Sequence, residues 1–490
     1  MTRRLAAMAV LIAWPSLASA ESVATYHNGN HRHGAYVVPT LTQSAAANMQ
    51  RDNKFSPKIE GNVYAQPLYW SPNGAKRALV IVATESNTIY ALDGAIGATV
   101  WKQSLGSPVS RSELPCGNID PIGVTGTPVI DTASATLYAD ALIDTKNGPR
   151  HKVYALSLTD GSVLAGWPLD IETAVKKAGG TFSSLTQGER SALLLYAQRL
   201  YVNYAGNAGD CGSYRGTVLQ IRPDNASLEA TWQTRANGGG IWAQGGLAGD
   251  GTYLFVTTGN TFGANDWSDG EAIIKLQAGL AHSDNTKDYF APLNWKSLDS
   301  SDQDLGGTEA LPINIAVSGE KPARRVIAFG KDGNAYLVDR HNLGGIGGAI
   351  QVLAVANGAI RTAPAVYETD QATMVAFTNS GSSHCSGGNI TMLNVAASGS
   401  SPMSFAWCAA FSGGGAPILT TTDGSSEPIV WAVGAEGDNE LHGFNALNGK
   451  AVFSGNGTAM SGLHHFQTIL ATRDRLFVGA DNTVYAFRWR

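Results

Sequence analysis

The chain has 490 residues, 57 of them glycine, with only 15% charged residues and a formal net charge of −5. That balance, with no basic run, excludes nucleic acid as a natural partner. Beyond the first 20 residues, no stretch is apolar enough to span a bilayer as a helix.

Residues 1–20, MTRRLAAMAVLIAWPSLASA, read as a secretory signal peptide. They carry two arginines, a short apolar run, and the small residues Ala18-Ser19-Ala20 at the cleavage position. Cleavage near Ala20 predicts a soluble periplasmic or secreted protein. Loss of Arg3 and Arg4 takes the formal charge from −5 to −7. Residues 21–490 show no linker, low-complexity tract or composition break and read as a single domain.

A short phrase then recurs to the end of the chain. It first appears as IYALDGAIGATVW, Ile89 to Trp101: a strand, an Asp or Asn, a Gly, then an aromatic. VYALSLTDGSVLAGW (Val153–Trp167) and LHGFNALNGKAVF (Leu441–Phe453) repeat it, and VYAFRWR closes the chain. Weaker copies begin at Val218, Ile273, Ala335 and Ile390. Aligned on the second residue, the copies are Tyr90, Tyr154, Leu219, Ile274, Tyr336, Thr391, His442 and Tyr485. Repeats of this length, each with several short strands, signal a propeller or an array.

Each unit reads as four strands. The first carries small residues and Pro (QPLYW at Gln66, TPVID at Thr127, APAVY at Ala363, APILT at Ala416). The second alternates apolar residues, the third is the recurring strand, and the fourth follows its Gly turn. The eighth unit lacks a fourth strand because the chain stops at Arg490. The segment Ala35–Gly61 is long enough to supply it and close the ring. The predicted fold is therefore all-β: an eight-bladed β-propeller of four-stranded antiparallel blades, the last closed by the N-terminal segment.

The longest insertions lie between second and third strands, at Asp144–His151, Gly206–Arg215, Asn260–Gly270 and Asn379–Asn389. In a propeller these share a face with the links between blades, so the chemistry is expected there. Of the four cysteines, Cys385 and Cys408 flank one repeat strand and are expected to pair. A Cys116–Cys211 bridge is the less favoured alternative. There is no CxxCH for covalent haem and no CxxC pair. His27, His31 and His33 suit either a transition-metal site or polar positions in the closing segment. His464-His465-Phe466 is expected to reach the channel near the last unit.

Three segments differ from ordinary blade sequence: GNAGDCGSYRG (Gly206–Gly216), the stretch Gly238–Trp267, and DQDLGGTE (Asp302–Glu309) with GKDGNAYLVDR (Gly330–Arg340). They offer Asp210, Asn260, Asp302 and Asp304 as hard oxygen donors, Trp242 as a flat apolar surface, and Lys331 and Arg190 as cations. The same residue types also suit Asx and hairpin turns.

These segments, in this order, resemble those of the quinoprotein alcohol dehydrogenases. That family binds pyrroloquinoline quinone (PQQ) and Ca²⁺ at the centre of an eight-bladed propeller. The resemblance implies metal contacts from Asp210, or its neighbour Cys211, and from Asn260. It implies Trp242 stacked on the quinone and a cofactor contact from Lys331, with Arg190 as a further cation. It makes Asp304 the catalytic base, with Asp302 second. The family's adjacent cysteine pair is absent, and Pro115-Cys116 stands at the matching place. The reading is a PQQ- and Ca²⁺-dependent dehydrogenase of an alcohol or sugar hydroxyl, without haem, passing electrons to a separate acceptor. The alternatives are a non-catalytic exported propeller that scaffolds or binds a ligand or protein, and a polysaccharide lyase or hydrolase using Asp302, Asp304 and His464.

Overall fold

The computed structural model describes residues 22–72, 77–382, 384–385 and 387–489. The predicted signal peptide lies outside them. Eight antiparallel sheets follow one another along the chain. Blade 1 is Leu68–Trp70, Leu79–Ala83, Thr88–Asp93 and Thr99–Ser104. The inner strands of blades 2 to 8 begin at Val129, Leu194, Ala248, Leu311, Ala365, Ile418 and Ile469. The second and third strands are almost wholly buried, as in LVIVA at 79–83, because each blade packs both faces against its neighbours.

The repeated Gly and aromatic have a shared cause. Trp101, on the outer strand of blade 1, donates from Nε1 to the carbonyl of Leu158 at 3.0 Å. A Cβ on Gly161 would come within 2.6 Å of its ring, and Gly161 has φ +78°. Trp407 treats blade 7 alike, bonding the Ala446 carbonyl at 2.7 Å beside Gly449, φ +70°. The aromatic of one blade thus seats on the turn of the next, and only glycine leaves room and tolerates the turn.

The ring closes as expected. Gln50–Arg51 pairs antiparallel with Thr483–Arg488 and supplies the outer strand of blade 8. The preceding residues do something the sequence does not announce. Val23 pairs with Tyr69 of blade 1, and the Ala24 carbonyl accepts from Ile130 of blade 2. The Asn30, His33 and Gly34 carbonyls accept from Gly249, Val366 and Leu419 of blades 4, 6 and 7. Arg32 is fully buried and donates to the carbonyls of Leu193 and Leu247 at 3.0 Å each. Tyr26 packs on Ala192, Ala363 and Ala416, which precede the inner strands of three blades. Residues 23–34 therefore plug the central channel, and 35–37 add a parallel strand inside blade 7.

The histidines belong to this plug and do not form a metal site. His27 Nε2 bonds Thr468 Oγ1 at 3.1 Å, and His33 Nε2 bonds the Pro312 carbonyl at 2.8 Å. Burial pushes their pKa values down, to about 3 for His27 and about 4 for His33. Both stay neutral at ordinary pH.

Both disulfides form. Cys385–Cys408 has a Cα separation of 5.7 Å. Cys116–Cys211, the less favoured pairing, has one of 5.9 Å and joins the link before blade 2 to the insertion of blade 3. The channel face brings these two loops together although 95 residues separate them.

Candidate functional site

Links between blades and the insertion of blade 3 line a cavity of about 230 Å³. Its wall includes Asp210, Trp242, Asp302, Asp304, Lys331 and Arg190, six of the seven residues singled out in the sequence. The seventh, Asn260, lies directly behind, donating its backbone N–H to Asp304 Oδ1 at 2.8 Å.

Local structure positions each of them. Asp210 sits in a tight loop at φ +52°, anchored by the Cys116–Cys211 bridge, and accepts a hydrogen bond from the Tyr214 hydroxyl at 2.6 Å. Trp242 lies against bare backbone: a Cβ on Gly240 would come within 2.7 Å of its Nε1. A Cβ on Gly259 would come within 2.5 Å of Asp304 Oδ1. The glycines of GGGIW and TTGN thus make room for the indole and the carboxylate.

Asp304, in the link to blade 5, is 1% exposed. Its Oδ1 takes the Asn260 N–H and its Oδ2 pairs with the Lys331 ammonium. Lys331 lies in the turn between Ala323–Phe329 and Asn334–Asp339. Its backbone N–H donates to the Asp304 carbonyl at 2.8 Å, and its Nζ also reaches Asp302 Oδ1 at 3.0 Å. Burial works against the ammonium, but the two carboxylates outweigh it and hold its pKa above the ordinary lysine value. Burial raises the Asp210 carboxyl, and the charges of Asp304 and Asp302 add to that.

Behind Asp304 stands a group the sequence reading passed over. Glu271 is fully buried and accepts the Leu305 N–H at 2.6 Å. Burial, helped by the Asp304 charge, pushes its pKa well up.

The cations are unevenly paired. Lys331 has its two carboxylates, but Arg190 and Arg361 have no ion-pair or hydrogen-bond partner among the described residues. Arg190 lies over two rings instead, with Cζ 5.8 Å from the centre of Trp242 and 5.0 Å from that of Phe466. Burial lowers its pKa, and the nearby charge of Arg361 lowers it further. Arg361 had no signal in the sequence. His465 and Phe466 reach the cavity as expected, from the link before the Ile469–Ala471 strand rather than from the strand itself. His465 Nδ1 bonds Glu436 Oε1 at 2.6 Å, and with Arg361 and Phe466 it also borders a wider groove of about 560 Å³.

An anionic, flat ligand fits this wall. Trp242 Nε1, Gln244 Oε1 and Asn260 Oδ1 are buried without partners, which marks polar groups awaiting a ligand or water. The donor set does not fit Ca²⁺, which takes six to eight oxygens. Among the described residues, no three His, Cys, Asp or Glu side chains converge to hold a metal. Asp304 has both oxygens engaged and Asp210 has one.

Neither a protein-family model nor a curated protein matches this sequence. Among solved structures, the chain is similar to quinohemoprotein alcohol dehydrogenase ADHIIG from Pseudomonas putida HK5. The TM-score is 0.65 at 12% identity, covering 96% of this chain and 80% of that one. The quinohemoprotein alcohol dehydrogenase from Comamonas testosteroni gives 0.61 at 12% identity, covering 95% and 80%. BamB from Moraxella catarrhalis gives 0.49 at 13% identity, covering 90% and 98%. At 12% identity the likeness to the two dehydrogenases shows the fold alone, and function rests on the site.

Proposed function

We propose that the cavity binds a planar polyanionic quinone of the PQQ type, and that the protein uses it to oxidise a hydroxyl of a small alcohol or sugar. The observation that carries this reading is the pair of unpaired guanidiniums, Arg190 and Arg361, beside the Trp242 ring. Two like charges held together without a direct ion-pair partner are costly, and a polycarboxylate supplies close negative charge. The aromatic faces of Trp242 and Phe466 suit a flat ring system. Both dehydrogenases named above bear the same chemistry in their names.

When bound, such a quinone would supply a two-electron acceptor for a hydride from the substrate carbon. The chain's own residues do the rest. Arg190 and Arg361 hold carboxylates, and Lys331 offers an N–H to a carbonyl oxygen. Asp304 accepts the hydroxyl proton at Oδ2 once Lys331 turns its ammonium toward the ligand. Asp302, 68% exposed at the rim, keeps Lys331 within reach while it turns. The electrons then leave to a separate acceptor, in keeping with an exported protein that has no CxxCH.

The test is uptake of PQQ by the purified protein, followed by reduction of an artificial dye with alcohols and sugars as donors. One quinone per chain is expected. Asp304→Asn, which keeps an acceptor for the Asn260 N–H, should abolish dye reduction and leave uptake nearly intact. A protein that takes up no quinone sinks the reading and leaves an exported binding propeller in its place.

A further inference from the structure

We infer that the Lys331 ammonium stands where the site would otherwise need a divalent cation, so that the anionic carbonyl ligand is taken up and polarised without a metal. The inference deepens the quinone reading and rests on it for the ligand, while its calcium arm is independent of it.

The geometry around Lys331 carries the argument. Its Nζ sits between Asp302 Oδ1, at 3.0 Å, and Asp304 Oδ2, and its backbone N–H is tied to the Asp304 carbonyl. Each Asp304 oxygen already has a partner, the Asn260 N–H at Oδ1 and the Lys331 ammonium at Oδ2, and a metal would have to compete with both. Asp210, a half-buried carboxylate on this wall, accepts the Tyr214 hydroxyl at Oδ1. Asn260 Oδ1 is without a partner, but it is a single neutral oxygen. Together these offer too few free oxygens for Ca²⁺.

The charge balance points the same way. Asp210, Asp302 and Asp304 face Lys331, Arg190 and Arg361 on one wall. A dication added there would meet three positive groups at close quarters and only three carboxylates, two already paired with Lys331. A lysine ammonium has three N–H donors. Two are used on Asp302 and Asp304, and the third is left for a ligand oxygen. A preorganised, largely buried ammonium stabilises negative charge developing on that oxygen, as a metal would.

The experiment has two arms, both on the full exported chain after dialysis against EDTA. In the first, Ca²⁺ is titrated into the protein by calorimetry. Wild type is expected to show no saturable site tighter than about 1 mM, the weak end of protein calcium affinities. Lys331→Gln, which removes the resident cation, is expected to gain calcium affinity. In the second arm, PQQ uptake is followed by quenching of tryptophan fluorescence. Uptake by wild type should be the same within about twofold with EDTA or with added Ca²⁺, and Lys331→Gln should weaken it about 100-fold, the loss of one strong charged contact. Lys331→Arg should retain it, and thermal melting checks that each variant folds.

One Ca²⁺ bound per chain with micromolar affinity and lost in Asp210→Asn would overturn the inference, whatever PQQ does. So would uptake that collapses in EDTA and returns with Ca²⁺. No uptake under either condition ends the quinone reading, and the calcium titration still decides whether Lys331 replaces a metal.

Discussion

Arg190 lies with its guanidinium carbon 5.0 Å from the centre of the Phe466 ring, and Phe466 holds its backbone at φ +75° to meet it. A bulky side chain in the left-handed region is a strained conformation that persists only when its surroundings impose it. Arg190 makes cation–π contacts and no ion pair among the described residues, and Tyr64 and Glu85 act on its charge only at longer range. The strain and the unpaired charge occur at the same cavity, as expected where a ligand completes the structure.

The arginine pair therefore couples affinity to stability with opposite signs. Arg361→Gln and Arg190→Gln should each weaken uptake of an anionic ligand about 10- to 100-fold, the usual worth of one charged hydrogen bond. Neither should lower the melting temperature of the ligand-free protein, and Arg361→Gln should raise it by relieving repulsion with Arg190. Calorimetry for binding and thermal unfolding without ligand check both halves. A neutral effect on binding, with lost stability, would make these arginines structural.

The eight units were legible because each repeats a local pattern with a local cause, such as Trp101 on the turn at Gly161. The site residues Asp210, Trp242, Asn260, Asp304 and Lys331 were legible as departures from that pattern. The plug was not. Residues 23–34 are held by main-chain bonds to five blades and by packing on small residues such as Ala363, and neither leaves a periodic trace. Arg361 lies in an ordinary link, AIRTAP, and only the ring's closure shows which charges it meets. The Cys116–Cys211 pairing was open for the same reason, since sequence alone does not set connectivity across blades.

The two disulfides should differ in what they protect. Chain-entropy reasoning gives about 5 kcal/mol for a loop the length of the one closed by Cys116–Cys211 and about 3 kcal/mol for that of Cys385–Cys408. The sequence separations are 95 and 23 residues. Cys116→Ser/Cys211→Ser is expected to lower stability more, and also to weaken ligand uptake, because Cys211 anchors the loop bearing Asp210. Cys385→Ser/Cys408→Ser should lower stability alone. Denaturant unfolding paired with a binding titration separates the outcomes. Equal binding losses in both variants would show that uptake follows global stability and not the anchored loop.

Glu85 offers a test of how buried charge sets the pH range of the fold. It sits beside the turn that joins Leu79–Ala83 to Thr88–Asp93 and is fully buried. Its Oε2 accepts the Gly123 N–H at 2.6 Å and the Thr125 hydroxyl at 3.1 Å, while Oε1 has no partner. Burial, partly offset by those two bonds, pushes its pKa up to about 7. The folded protein therefore holds this proton more tightly than the unfolded chain does. The resulting stability is complete below the ordinary glutamate range and is lost as pH rises to about 7. Glu85→Gln mimics the protonated form, so it should be nearly neutral at acid pH and stabilising above neutrality. The gain should approach about 3 kcal/mol, from about 1.4 kcal/mol per pKa unit. His27 and His33 titrate in the opposite sense, being held neutral by burial, so the wild-type profile alone mixes the two. The difference between variant and wild type isolates Glu85. Chemical unfolding at a series of pH values measures it, and a difference that stays flat through neutrality would show that Glu85 is ionised in the folded protein.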